Sequence, residues 1–79
     1  MKIKDRVIEL LSDKYCGLLP IKSIHEEDTI IDIGFDSLRF MEFVVLIEEE
    51  YHIEFPDDLL DIQSTTTVRE VIERLEKEV

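Results

Sequence analysis

Ser37 lies in the run Gly34-Phe35-Asp36-Ser37-Leu38, where an aperiodic stretch meets the most apolar helical pattern of the chain. Gly34 permits a tight approach of backbone, and Asp36 and Ser37 are both residue types that cap a helix. Capping is the plain structural role for a serine in such a place. Asp36 suffices for it, however, and the residue three after Ser37 is Phe40, so Ser37 enters no capping box. A hydroxyl left outward at a helix N-terminus sits at the positive end of the macrodipole, a position that suits a phosphodiester.

Other chemistry fits these residues less well. An esterase elbow wants glycine two residues after its serine, where Arg39 stands, and the chain is short for an oxyanion hole and a pocket. Glu26, Glu27, Asp28, Asp32 and Asp36 cluster in sequence as calcium ligands do, but counting an EF-hand loop from Asp28 puts Ile30 at its third position and Ile33 at its sixth. No metal site is expected. His25 and His52 have no catalytic setting and read as surface histidines, and Cys16 reads as a small hydrophobe after the first helix.

Ile3, Val7, Leu10, Leu11 and Tyr15 recur as one helical stripe over about residues 2–15, with Gly17 as the stop. Residues 16–36 then form a long loop, pinned by some of Leu18, Leu19, Ile21, Ile24, Ile30, Ile31 and Ile33. A second helix over 37–51 turns Phe40, Phe43, Val44, Ile47 and Tyr51 to the core. Leu38, Met41 and Val45 make a second apolar patch beside that stripe, expected to stay exposed and to meet a partner. Pro56 ends any continuation, and Asp57-Asp58-Leu59-Leu60 reads as a short acid-capped helix. Thr67 and Glu70 form a capping box for a last helix over 67–78, carrying Val68, Val71, Ile72 and Leu75. The expected architecture is all-α, a four-helix bundle with three main helices, one short helix and a long first loop, in a single domain over 1–79.

Seventy-nine residues, one cysteine and a formal net charge of −11 bound the function. A chain of this length buries only about 60% of the surface its unfolded form exposes, which leaves little for a deep substrate pocket, so an enzyme is not expected. The lone Cys16 forms no internal disulfide, in keeping with a reducing compartment. No apolar run approaches the ~18 residues of a membrane span, and the N-terminus is amphipathic, so the expectation is a cytoplasmic monomer away from membranes. The negative field disfavours nucleic acid and favours basic protein partners. Within residues 36–61, nine acids face Arg39 alone.

Asp32-Ile-Gly34-Phe-Asp36-Ser37-Leu38, followed by Met41-Glu42 and by Leu46-Ile47-Glu48-Glu49-Glu50-Tyr51-His-Ile53-Glu54-Phe55-Pro56-Asp57, resembles an acyl carrier protein over nearly the whole chain. The resemblance implies a four-helix bundle in which Ser37 receives 4′-phosphopantetheine from coenzyme A through a phosphopantetheinyl transferase. Asp36 matches the family aspartate that helps the transferase place its metal and cofactor. The prosthetic thiol would carry acyl or aminoacyl groups as thioesters between loading and elongating enzymes with basic docking surfaces. Leu38, Arg39, Met41, Val45, Glu42, Glu48 and Glu49 are the expected partner contacts.

Three residues depart from many fatty-acid-synthesis carriers. Arg39 and Phe40 stand where an acidic and a small residue are usual, and Phe35 replaces a small residue between the glycine and the aspartate. Reversed charge and bulk beside the tether would alter which enzymes dock, in the direction of polyketide or nonribosomal-peptide carriers. The acidic run Glu48-Glu49-Glu50 still fits a discrete carrier of fatty-acid synthesis. A non-catalytic acidic helical adaptor, binding partners through its central helix, is the alternative.

Overall fold

The computed structural model describes residues 2–60 and 64–78 of the chain. Three helices run in the order α1 (Ile3–Leu11), α2 (Ser37–Tyr51) and α3 (Val68–Glu78), with single 3₁₀ turns at Ile21–Ser23 and Asp57–Leu59. The described residues contain no strand, only an isolated antiparallel bridge between Thr29 and Thr67. The all-α class is as expected. Among the described residues the expected short fourth helix appears as the single turn Asp57–Leu59; residues 61–63, which follow it, lie outside the described part.

The first helix is shorter than its apolar stripe predicts, and Ser12 is the reason. Its hydroxyl donates to the Glu9 carbonyl at 2.6 Å and accepts from the Lys14 N–H at 3.3 Å, a local alternative to the helical ladder. The chain leaves α1 at Ser12 in an extended conformation. Tyr15 therefore lies outside the helix, half-exposed, with the Arg6 guanidinium 5.1 Å from its ring centre. Gly17 acts after the helix rather than as its stop. Its N–H donates to the Ser12 carbonyl at 2.9 Å, and a Cβ there would lie 1.8 Å from the Leu11 carbonyl oxygen.

The second helix has the expected bounds, and Phe40, Phe43, Val44 and Ile47 are buried along it. Phe55, from the segment after α2, meets Phe40 and Phe43 edge-on at 5.7 and 6.2 Å between ring centres. Around these rings α1 contributes Val7, Leu10 and Leu11, and α3 contributes Val68, Val71, Ile72 and Leu75. α1 packs against both other helices.

The long loop is pinned by only part of its apolar set: Ile24, Ile30 and Ile33 are buried and Leu19 packs against the core, while Leu18, Ile21 and Ile31 are exposed. Backbone bonds to the start of α3 do the rest. Ile30 N–H reaches Thr66 O at 2.8 Å, Val68 N–H reaches Asp28 O at 2.9 Å, and Arg69 N–H reaches Glu26 O at 3.0 Å. The capping half of the Thr67 and Glu70 pair is present, the Glu70 N–H donating to Thr67 Oγ1 at 3.1 Å.

Candidate functional site

The turn that presents Ser37 is built from the end of the long loop. Gly34 takes φ 98°, a left-handed conformation that glycine adopts without a Cβ penalty, and its N–H donates to Ile31 O at 3.0 Å. Phe35 then turns inward and is buried, with its N–H on Ile30 O at 3.2 Å. Asp36 is extended and caps α2: its Oδ1 accepts from the Arg39 N–H at 2.8 Å.

Ser37 is consequently the first helical residue, exposed, and its hydroxyl has no hydrogen-bond partner among the described residues. The Ser37 and Leu38 N–H groups, orphans of the first helical turn, likewise have no acceptor there. The position offers a free nucleophilic hydroxyl, two unsatisfied donors and the positive end of a fifteen-residue helix. That set fits an esterified phosphate better than it fits a cap.

On the outer face of α2, Leu38 is 74% exposed, Met41 44% and Val45 49%. Glu42 and Glu49 are exposed on the same helix and enter no ion pair among the described residues. Two of the expected contact residues are engaged inside the fold. Glu48 Oε2 accepts from the Phe55 N–H at 2.9 Å, securing the segment that delivers Phe55 to the core. Arg39 Nη1 donates to the Cys16 carbonyl at 2.8 Å.

The expectation of added bulk beside the tether is corrected by these placements, since Phe35 and Phe40 are both buried in the core. Apolar aromatic side chains at the junction turn to the side that removes them from water. Four of the five acids that fail the calcium pattern are engaged separately. Glu26 pairs with Lys4 at 3.1 Å, Glu27 with Arg69 at 3.4 Å, Asp28 accepts the His25 N–H, and Asp36 caps α2. No group of three potential metal ligands occurs among the described residues.

Two features of the surroundings leave no trace in the sequence pattern. Leu18 rests on Gly34, so close that a Cβ on the glycine would come 2.7 Å from Leu18 Cδ1. Tyr15 and Cys16, with Glu42, Val45 and Leu46 of α2, line an open groove of about 430 Å³. The Cys16 thiol is buried and donates to Leu10 O at 3.3 Å, and burial pushes its pKa up, so it is a poor nucleophile where it stands. The Leu18–Gly34 contact and the groove could not be found by periodicity, because they join residues far apart in sequence.

The comparison with known families matches residues 5–75 to the model described as "Phosphopantetheine attachment site". The chain is 40% identical over 76 residues to an acyl carrier protein of Bdellovibrio bacteriovorus, covering 96% of this chain and 88% of that protein. The prosthetic group of such a domain is covalently bound 4′-phosphopantetheine. By family model and by identity alike, the chain belongs to the phosphopantetheine-binding acyl carrier family.

Proposed function

We propose that Ser37 carries the 4′-phosphopantetheine and that the protein shuttles thioester-bound acyl or aminoacyl groups between biosynthetic enzymes without catalysing a step itself. The observation that carries this reading is the exposed, unpartnered Ser37 hydroxyl at the start of α2, with Asp36 alone capping the helix. Ser37 Oγ forms the phosphodiester, and the free Ser37 and Leu38 N–H groups together with the helix dipole stabilise its negative charge. Asp36 keeps one carboxylate oxygen outside the cap, where the transferase and its metal can use it. The group itself supplies a thiol that holds cargo as a thioester.

The family role as carrier implies work with modifying and acyl-handling enzymes. In our reading these dock on Leu38, Met41 and Val45 with Glu42 and Glu49 around them, apolar contact ringed by acid that steers basic surfaces. Such docking is weak by design: successive enzymes must release the carrier, while the tether keeps the cargo at high effective concentration for whichever enzyme is docked. Fatty-acid, polyketide and nonribosomal-peptide synthesis all use this arrangement. A cytoplasmic monomer suits it, and no described helix is long and apolar enough to cross a membrane.

The same exposed patch also favours the adaptor reading, which needs no serine chemistry. Intact mass after incubation with coenzyme A, magnesium and a broad-specificity phosphopantetheinyl transferase separates the two. One added phosphopantetheine on the wild type and none on Ser37→Ala is the expected result. A folded wild type that gains no mass beside an active control would leave the adaptor as the better reading.

A further inference from the structure

Arg39 follows Ser37 by two residues in a chain whose acids outnumber its basic residues 20 to 9. Among the described residues its guanidinium pairs with no carboxylate; it donates instead to the main-chain carbonyl of Cys16, 23 residues earlier, at 2.8 Å. A charged donor that takes a backbone oxygen in such an acidic chain is holding a segment in place, because a charge-assisted bond to a loop carbonyl fixes the loop's path. The held segment leads directly to the attachment turn. Gly17 comes next, against the end of α1, and then Leu18, which lies on Gly34 while remaining 57% exposed.

We infer that Arg39 is a positioning residue: its grip on the Cys16 carbonyl holds the Cys16–Leu18 segment against the start of α2, so that Leu18 forms an exposed apolar rim at the Ser37 turn that the phosphopantetheinyl transferase contacts. The role of Leu18 rests on Ser37 being the attachment serine; the grip itself does not. On one side of α2 the arginine anchors the loop, and on the turn above it Gly34, with no side chain, leaves the space that Leu18 occupies. Leu38, 74% exposed and next to Ser37 in sequence, offers a second apolar side chain at the start of the helix. The positive charge of Arg39 thus acts inward on the loop, and what it contributes to recognition is the place of a leucine.

Cys16 provides a native reporter, since its thiol is buried in the segment whose carbonyl Arg39 holds. Its rate of modification by an aromatic disulfide reagent under native conditions, in wild type, Arg39→Gln, Arg39→Lys and Leu18→Ala, tests the grip. Arg39→Gln should react about tenfold faster, as expected for local opening after loss of one charge-assisted bond. Its melting temperature should move by only a few degrees, Arg39→Lys should recover most of the protection, and Leu18→Ala should stay protected. In transferase assays Arg39→Gln and Leu18→Ala should both raise KM for the carrier roughly threefold or more with kcat unchanged, the mark of lost binding rather than lost chemistry. An unchanged thiol rate in Arg39→Gln, or a rise that global unfolding accounts for, overturns the grip. An unchanged KM in both variants overturns the rim, and a wild type that takes no phosphopantetheine overturns the attachment reading and the rim together while the thiol rates still decide the grip.

Discussion

Arg6 of α1 and Glu50 near the end of α2 meet as a two-pronged pair, with Arg6 Nη2 on Glu50 Oε1 at 2.6 Å and Nε on Oε2 at 2.5 Å. Arg6 also reaches Glu9 and the Tyr15 hydroxyl, so a single guanidinium ties α1, the loop after it and the far end of α2. The hydrogen bonds from Arg6 hold the Glu50 carboxyl below the usual carboxylate range. Glu50 is thereby withdrawn from the docking acids.

A carboxylate whose folded pKa is lowered stabilises the fold above its unfolded pKa, and that stabilisation is lost as pH falls through the folded value. For Glu50 the contribution is complete above about pH 4.3 and fades below it. Both partners are partly exposed, so Glu50→Gln should cost about 1 kcal/mol or less near neutrality. Thermal melts of wild type and Glu50→Gln from about pH 7 down to pH 3 should converge at the acid end. A constant gap across that range would mean the pair contributes through packing rather than charge.

The two glycines of the first loop fail for different reasons when changed. At Gly17 a methyl group would meet the Leu11 carbonyl oxygen at 1.8 Å, so Gly17→Ala must move backbone and should cost about 1–3 kcal/mol. At Gly34 the obstacle is φ 98°, while the nearest atom is the movable end of Leu18, so Gly34→Ala should cost about 1 kcal/mol or more and also disturb the Ser37 turn. Urea unfolding with unchanged m-values would register both. Alanine tolerated at Gly17 without loss would contradict the described path of the loop.

Along α2 the burial pattern separates function from folding. Phe40→Ala empties a fully buried site packed against two other rings and should cost about 3–5 kcal/mol. Met41→Ala, next in sequence but half-exposed, should change stability by less than about 0.5 kcal/mol and weaken loading by the transferase or a partner enzyme. Circular dichroism together with a loading assay checks the pair. Loss of the fold in Met41→Ala would place that side chain in the core.

A net charge of −11 on so small a chain predicts self-repulsion. Raising sodium chloride from about 10 mM to about 200 mM shortens the screening length several-fold and should raise the melting temperature. The ion pairs Lys4–Glu26, Arg69–Glu27 and Arg74–Asp58 weaken with the same screening, so a rise shows that repulsion outweighs them. A flat or falling melting temperature would show that it does not.

The helices and the candidate serine were legible in the sequence because both rest on local rules. Helical spacing located α2 at Ser37–Tyr51 and its two faces, and the chemistry of Asp36 as a cap freed Ser37, since a cap bond spans only three residues. Thr67 marked the start of α3 for the same reason. The early end of α1 was decided by the hydroxyl of Ser12 competing with the helix, against an apolar stripe that ran on to Tyr15. What only the tertiary structure decided is where charged and loop side chains go: Arg39 to the Cys16 carbonyl, Glu48 to the Phe55 N–H, Leu18 onto Gly34, and the long loop onto the start of α3. Periodicity reports which face of an element avoids water, but the partner of a polar group is set by which distant segment the packed core brings within about 3 Å of it.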